Sequence, residues 1–356
     1  MNILSIAYPL APVGPCAVGG AEQILTDLDA ALVASGACSL VIARGDSHPA
    51  GELFPIALPR SRYLDATAKR WCRLQIQRTI DQLLEARRVD LVHLHDMNFD
   101  ECRLPADIPV VVTLHMPLMW YPPHAFGPPR RNWIFVCVSE SQRRLCPADL
   151  PSPRLIENGV QIPAPRSKDV CRAGFAVALA RICPEKNLHE ALEAGTMADT
   201  PVYIGGQVFP YPEHERYFTE RIAPLLGTSK PSARHVFLGA LSQQRKQELL
   251  ARASCLLHPT LAPETSSLVA MEAMASGTPV IAYPSGALAE IVEDGVTGFL
   301  VDNVRDMAQA IRSVHRLSPA ACRAHAGRRF SKRNMVGRYF ALYEELTNHP
   351  TRRLYA

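Results

Sequence analysis

The chain has 356 residues, of which 47% are hydrophobic and 20% are charged, and its formal net charge is +4. This length suits about two domains with cores of their own, and the composition excludes a disordered or membrane-embedded protein. The small net charge, with no dense basic block, argues against nucleic acid as a partner.

Short aliphatic runs alternate with longer helical patterns along the chain, which is typical of parallel βαβ units. In the first half the pattern predicts helices near 21–35 and 62–87 and strands at 2–7, 40–43, 91–95, 110–114 and 134–138. The first strand has no basic region ahead of it and ends at prolines and a glycine, so we do not expect a signal peptide. Ligands of doubly wound sheets bind at the carboxyl ends of the strands, and the loops there should carry the chemistry.

A proline-rich passage over 147–165 interrupts this pattern and is expected to be the crossing between two domains. The second half predicts a last helix near 328–346, preceded by strands at 175–180, 201–204, 236–238, 255–258 and 279–282. The predicted domains are 1–162, 163–327 and a terminal stretch, 328–356, that crosses back toward the first domain. The predicted fold class is α/β, with two Rossmann-like, doubly wound parallel sheets.

The most informative segment contains two glutamates, Glu264 and Glu272, on a predicted loop that enters a helix. Glu264 is expected at or just before the helix start and Glu272 about two turns later, with both carboxylates on nearly the same face. The free amides and the dipole of a helix N-terminus favour phosphate, and a carboxylate within the helix can accept both hydroxyls of a ribose. The alternative is that Glu264 only caps the helix while Glu272 faces solvent.

This segment resembles the retaining glycosyltransferases of family four, whose Glu-x7-Glu motif continues into a run similar to Ala273–Val280. The resemblance implies the GT-B architecture, in which two Rossmann-like domains face each other across a cleft. It also implies transfer of a sugar from a nucleotide-diphosphate sugar, most often a UDP-sugar, without a metal or another cofactor. Glu272 would bind the donor ribose, and Glu264 would contact hydroxyls of the transferring sugar as a catalytic residue.

The turn before that helix, Thr265-Ser266-Ser267, stands where the family usually has a glycine-rich turn. Its hydroxyls can cap the helix. Ser266, Ser267 and Leu268 are expected to contact the donor phosphates.

A second element directly follows the first strand of the second domain and contains Arg181 and Lys186. These cations would flank a diphosphate and stabilise the negative charge that builds on the leaving phosphate. Two such residues in a loop are usually solvated surface charges. The functional interpretation is favoured because the element is similar to the family's Gly-Arg-Leu-x-x-x-Lys motif.

Gly19 and Gly20 follow the first strand and open a helix, so the backbone there can approach phosphate or sugar closely. The dinucleotide fingerprint is absent, which argues against a dehydrogenase. In the similar family this loop faces the donor phosphates and the acceptor. The resemblance therefore assigns Gly19 and Gly20 to the donor and Glu22 to the acceptor side.

His115 follows the strand at 110–114. The resemblance makes it the second catalytic candidate, which would bind a hydroxyl of the transferring sugar and position the reacting carbon rather than act as a general base. A loop histidine without such a role is the alternative.

The sequence predicts no metal site. The ten cysteines are scattered without metal-binding spacing and are interpreted as buried free thiols. His93 and His95 have a spacing that can ligate a metal. No third ligand is obvious, however, and the related enzymes carry a similar pair without metal.

The basic stretch 60–88, with Trp71 and Leu74 among its arginines, is a candidate for contact with an anionic membrane, although a charged helix is more often a solvated face. No apolar run is long enough to span a bilayer, so we expect a cytoplasmic protein, with peripheral contact at the inner face of the membrane as a hypothesis. The acceptor would be a carbohydrate, a lipid-linked sugar or a small molecule. Two other functions stay open: a GT-B-fold sugar-nucleotide 2-epimerase and a noncatalytic sugar-nucleotide-binding protein.

Overall fold

The computed structural model describes residues 1–57, 66–128, 130–148, 150–164, 173–227 and 234–348. The chain forms two compact units, one of Met1–Asn158 with Arg333–Ala356 and the other of Gly159–Lys332. Each unit is built on one sheet whose neighbouring strands all run parallel.

The first unit contains a seven-stranded sheet in the order β3-β2-β1-β4-β5-β6-β7. Its strands are β1 (Asn2–Ile6), β2 (Cys38–Arg44), β3 (Glu52–Ile56), β4 (Leu91–Leu94), β5 (Val110–Leu114), β6 (Trp133–Cys137) and β7 (Arg154–Leu155). Its helices before the crossing are α1 (Gly20–Ala34), α2 (Ala66–Ala86) and α3 (Glu140–Arg144). All residues of β4 and β5 are buried, as expected for central strands that are covered on both faces. The predicted start of the second helix, at 62, lies outside the described residues.

The second unit contains a six-stranded sheet in the order β10-β9-β8-β11-β12-β13. Its strands are β8 (Ala176–Leu179), β9 (Val202–Gly205), β10 (Val236–Phe237), β11 (Cys255–His258), β12 (Val280–Ala282) and β13 (Gly298–Leu300). Its helices are α4 (Leu188–Met197), α5 (Pro212–Tyr217), α6 (Ala223–Gly227), α7 (Gln243–Arg252), α8 (Leu268–Ala275), α9 (Leu288–Ile291), α10 (Val304–Ser313) and α11 (Pro319–Arg329).

The sequence did not predict three of the observed strands, and all three lie at sheet edges. They are β3, β7 and β13. β3 contains Pro55, which an edge strand tolerates because its outer side needs no N–H for pairing. β7 has only two residues and β13 only three, so each offers little pattern, although the equally short β10 was predicted at 236–238.

The last helix, predicted at about 328–346, is present but begins later than expected. α11 ends at Arg329, and a separate helix, α12, runs over Lys332–Asn348. Between them Phe330 leaves the helical conformation and is fully buried in the core of the second unit. The Phe330 carbonyl accepts from Val160 N–H at 2.8 Å, and Lys332 N–H donates to the Val160 carbonyl at 2.9 Å. Because these groups bond outside the helix, the helical ladder stops there.

From Arg333 onward α12 belongs to the first unit, where Tyr339 and Tyr343 are fully buried. Tyr343 OH lies 2.7 Å from His93 Nδ1, and Tyr339 OH lies 2.9 Å from Thr113 Oγ1. The two tyrosines therefore tie α12 to β4 and β5. Among the described helices, none is both long enough and apolar enough to cross a membrane.

Candidate active site

The N-terminus of α8 is capped by a serine. Ser267 Oγ accepts a hydrogen bond from Ala270 N–H at 3.4 Å and lies 2.9 Å from His258 Nε2, at the end of β11. Burial lowers the pKa of His258 to about 4, so this imidazole is neutral at pH 7. The prediction that a hydroxyl of this turn can cap the helix thus holds, and the capping role considered for Glu264 belongs to Ser267.

Glu264 lies in the loop four residues before α8 rather than at its start. Its carbonyl accepts from Ala287 N–H at 2.7 Å, and its backbone forms a bridge with Gly286. A Cβ at Gly286 would collide with the Glu264 backbone, and the φ of Gly286 is +58°, so glycine is required there. The expectation that Glu264 and Glu272 share one helix face is therefore wrong, because the loop is held by a neighbouring segment before the helix begins.

The Glu264 carboxylate is paired with the ammonium group of Lys186, and the two side chains are only 12% and 16% exposed. Lys186 ends the short 3₁₀ turn Pro184–Lys186 that follows β8. Burial alone would raise the pKa of Glu264, but the charge of Lys186, with a smaller contribution from His258, lowers it. The pair therefore holds a buried, ionised carboxylate.

Glu272 is buried in the middle of α8, with 9% exposure, so the alternative that it faces solvent is wrong. Lys246 Nζ lies 2.7 Å from its carboxylate, and Gln243 Nε2 donates to Oε1 at 3.1 Å. Gln243 and Lys246 are three residues apart and share one face of α7. Sequence reasoning missed both partners, because the spacing within α7 does not tell which helix packs beside it.

The remaining predicted residues of the second unit surround the start of α8 or lie in the loop that carries Lys186. Arg181 is 42% exposed, and its guanidinium lies 3.6 Å from Glu185 Oε1. The Ser266 hydroxyl is buried and has no hydrogen-bond partner among the described residues. Leu268 is the first residue of α8, so its N–H is one of the amides that the helix itself leaves unpaired.

In the first unit, Gly19 is the N-cap of α1 and Gly20 is its first residue. Glu22 is buried in the first turn, where an acidic side chain is favoured by the helix dipole. A Cβ at Gly19 would collide with the Glu22 carboxylate. The structure thus brings Gly19 and Glu22 into contact, and glycine leaves room for the carboxylate at the helix N-terminus.

His115 directly follows β5, and its Nε2 lies 2.9 Å from His95 Nδ1. Burial lowers the pKa of His115 to about 4, so its imidazole is neutral at pH 7. His93 differs in having both ring nitrogens occupied, by Tyr343 OH at 2.7 Å and by Thr113 Oγ1 at 2.7 Å. The contact with His95 holds the ring of His115 and was not predicted from the sequence.

Two family models match most of the chain. The model for Glycosyltransferase Family 4 covers residues 18–162, and the model for Glycosyl transferases group 1 covers residues 172–324. A D-inositol 3-phosphate glycosyltransferase of Geodermatophilus obscurus is 43% identical over 91 residues, which are 23% of this chain and 20% of that protein. The matched segment thus spans about a fifth of the length of this curated relative.

Solved structures resemble the chain along nearly its whole length. HepE of Anabaena, in complex with UDP and glucose, has a TM-score of 0.74 and 20% identity, with 97% of this chain and 100% of that chain covered. Sucrose-phosphate synthase of Thermosynechococcus elongatus has a TM-score of 0.76 and 18% identity, with 98% and 100% covered. Together with the two parallel-sheet units, these likenesses identify the GT-B fold. The chain therefore belongs to the group 1, family 4 glycosyltransferases.

Proposed function

We propose that the chain is a retaining, metal-independent glycosyltransferase that transfers a sugar from a UDP-sugar to an acceptor hydroxyl. One observation carries this proposal: two buried carboxylates, Glu264 and Glu272, each paired with a lysine, lie before and within the helix that Ser267 caps. Membership of the family supports the activity. UDP as the nucleotide is supported by the complex of HepE with UDP and glucose.

The donor diphosphate would bind at the N-terminus of α8. The free amides and the dipole of a helix start favour phosphate, and the unpaired Ser266 hydroxyl adds a donor. Arg181 and Lys186 would stabilise the charge that develops on the leaving phosphate, which requires fixed cations but no metal. Gly19 and Gly20 would let the backbone of their own loop approach donor phosphates closely.

The two glutamates would hold the sugars of the donor. Glu272, fixed by Lys246, would accept the ribose hydroxyls, and Glu264 would accept hydroxyls of the transferring sugar. The charge of Lys186 keeps Glu264 ionised but also weakens it as a nucleophile. We therefore propose attack by the acceptor on the face from which the phosphate departs, which retains the anomeric configuration without a covalent intermediate.

In the first unit, His115 would bind a hydroxyl of the transferring sugar, and Glu22 would serve the acceptor side. The low pKa of His115 suits a hydrogen-bonding role, because a neutral imidazole can donate and accept without leaving an unpaired charge in a buried site. The acceptor is proposed to be a carbohydrate, a lipid-linked sugar or a small molecule.

Peripheral membrane contact is proposed for α2. Four of its exposed residues fall on one helical stripe: Arg70, Trp71, Leu74 and Arg78. Trp71 is 41% exposed and Leu74 is 51% exposed, a combination of apolar and basic groups that suits an anionic lipid surface. The wild-type protein should sediment with phosphatidylserine vesicles at low salt, and the double variant Trp71→Ser, Leu74→Ser should not.

The matched control for this experiment is Met119→Ser, which removes another exposed apolar side chain of the first unit. It should sediment like the wild type. Failure of the wild-type protein to sediment at low salt would end the membrane proposal.

The experiment that tests the transferase proposal is a thermal-shift titration with UDP-, GDP-, ADP- and dTDP-sugars in EDTA. At a concentration of 100 times Kd, a donor should raise the melting temperature by about 5–10 °C. Glu272→Ala should lose this shift. Glu248→Ala, which removes an exposed carboxylate on α7, should keep it.

Turnover then separates the three functions. A transferase yields a glycosylated acceptor with the anomeric configuration of the donor, which NMR of the product reads directly. Isomerisation of the donor without an acceptor would favour the 2-epimerase, and binding without turnover on any acceptor would favour the noncatalytic protein. No thermal shift with any nucleotide sugar would contradict the proposed donor site.

A further inference from the structure

Three side chains of the second unit converge outside the residues assigned to the donor. The Cys183 sulfur, one Glu185 carboxylate oxygen and one His214 ring nitrogen all lie within 4.8 Å of one another. Cys183 and Glu185 belong to the loop and 3₁₀ turn after β8, and His214 lies on α5. Two separate segments therefore supply the cluster.

His214 shows that the cluster is incomplete. Its side chain is 8% exposed, and its Nδ1 is buried without a hydrogen-bond partner among the described residues. Buried polar atoms in folded proteins nearly always have a partner, so the unpartnered Nδ1 of a ring that lies beside a thiol and a carboxylate indicates that this imidazole has a further partner. Burial lowers the pKa of His214, which leaves the ring neutral and able to ligate a cation.

We propose that Cys183, Glu185 and His214 bind a divalent metal ion that favours thiolate, with Zn²⁺ as the type. Thiolate, carboxylate and imidazole are the ligands that zinc takes, at about 2.0–2.3 Å. Around a tetrahedral ion such ligand atoms lie about 3.3–3.8 Å apart, so binding would require the three atoms to approach one another by at most about 1.5 Å. Three protein ligands leave a fourth position open to water. Mg²⁺ is excluded because it prefers hard oxygen ligands.

Binding of a divalent ion at this site can be written with charges and protons balanced. The Cys183 thiol is neutral, because burial raises its pKa to about 12, and it lies 3.6 Å from the Arg181 carbonyl. Burial opposes ionisation of Glu185, but its hydrogen bonds and the charge of Arg181 lower its pKa. Binding releases the thiol proton to water and forms the metal–sulfur bond. The thiolate and carboxylate then neutralise the two charges of the ion, and affinity rises with pH.

The ion would lie beside the proposed diphosphate residues without using them as ligands. Glu185 is 3.6 Å from Arg181, and its carbonyl accepts from Leu261 N–H at 3.0 Å and from Thr260 Oγ1 at 3.1 Å. Sugar transfer would need no metal, and the metal site stands whether or not the chain is a transferase. Its test therefore uses metal binding alone.

The experiment is a titration of EDTA-treated protein with Co²⁺, which reports a bound thiolate by a charge-transfer band in the near ultraviolet. We expect one equivalent per chain, displaced by Zn²⁺ and not by Mg²⁺. Zn²⁺ at 100 times Kd should raise the melting temperature by about 5–10 °C. Cys183→Ser and His214→Asn should abolish the band, and the milder Glu185→Gln should weaken binding at least tenfold.

Cys322→Ser is the matched control, because Cys322 is also a fully buried thiol that lies 3.6 Å from a backbone carbonyl. It should bind one equivalent like the wild type. Circular dichroism in EDTA would show that the variants fold. The proposal is overturned if wild-type protein gives no band, or if a folded Cys183→Ser or Glu185→Gln protein binds Co²⁺ as the wild type does.

Discussion

At the scale of single residues, the carboxylates of the candidate site are neutralised by lysines from elsewhere in the fold. Lys186 and Glu264 are 78 positions apart, and Lys246 and Glu272 are 26 apart. The sequence pattern found both glutamates, since their spacing is local. The sequence did not predict which lysine pairs with each glutamate, because such contacts depend on the order of the strands and on helix packing.

We expect Lys186→Met to lower kcat/KM for sugar transfer by about 100- to 1,000-fold, or about 2.7–4 kcal/mol. The variant removes a cation from the leaving phosphate and leaves the Glu264 carboxylate buried without its partner. Steady-state kinetics with the identified donor would measure the loss. Arg245→Ala, which removes an exposed cation paired with Glu248, should change kcat/KM less than twofold. Equal activities of the two variants would contradict the role of Lys186.

The low pKa of His115 predicts the pH dependence of the reaction. Burial holds this pKa at about 4, so the ring is neutral at every pH above about 5. Wild-type kcat/KM should therefore show no inflection from His115 between pH 5.5 and 8, and His115→Asn should lower activity without changing the shape of the profile. A general base with a pKa near 6.5 would instead lose activity tenfold per pH unit below that value. An inflection that disappears in His115→Asn would exclude the positioning role.

At the scale of elements, the sequence predicted central strands well and edge strands poorly. A strand buried on both faces is a continuous aliphatic run, such as Val110–Leu114, and needs little context to be recognised. An edge strand such as β3 is only partly buried and tolerates proline. The break between α11 and α12 was missed for another reason, because the Phe330 carbonyl and the Lys332 N–H bond to Val160 rather than within a helix.

The hydrogen bonds of the α12 tyrosines should contribute to the stability of the first unit. In Tyr343→Phe, His93 Nδ1 would stay buried and lose its partner at 2.7 Å, which should lower the free energy of unfolding by about 1–3 kcal/mol. Urea denaturation measures this change. Thr347→Val, on the same helix, removes a hydroxyl that bonds to the Tyr343 carbonyl of its own helix and otherwise makes only an exposed contact with the Met1 sulfur at 3.9 Å, so it should cost less than about 0.5 kcal/mol. A Tyr343→Phe protein as stable as the wild type would mean that the buried His93 finds another partner.

At the scale of the whole molecule, the alternation of strands and helices predicted two doubly wound parallel sheets, and the resemblance of the segment with Glu264 and Glu272 to family four implied the GT-B architecture. The metal-binding cluster was not predictable in this way. Cys183 and Glu185 are near neighbours in the chain, but His214 comes from another βα connection, 29 positions beyond Glu185. Only the folded arrangement of the second unit brings these three side chains together.

We expect the protein to lose stability in mild acid because several of its histidines are buried. Burial lowers the pKa of His115 and His258 to about 4, and that of His93 and His95 well below the usual 6.5. Between about pH 6.5 and 4 these histidines therefore bind protons in the unfolded chain but stay neutral in the folded protein. The free energy of unfolding should fall as the pH falls, by up to about 1.4 kcal/mol per pH unit for each histidine. Burial raises the pKa of Asp96 to about 6, so this carboxyl has the opposite effect on the pH dependence of stability, but it is one group against four histidines.

Urea midpoints at pH 7, 6 and 5 at constant ionic strength would measure this loss. His115→Asn should flatten the dependence, and His315→Gln, at an exposed position, should leave it unchanged. A midpoint that rises toward pH 5 would show that the buried histidines do not control acid stability.

The division of the chain into units also sets the order in which they can be completed during synthesis. Residues 1–158 are translated before the second unit, yet Tyr339 and Tyr343, which bond to Thr113 and His93, are translated after it. The second unit is a single continuous stretch and has all its residues by position 332. The first unit can therefore complete these two hydrogen bonds only after the whole second unit has been translated.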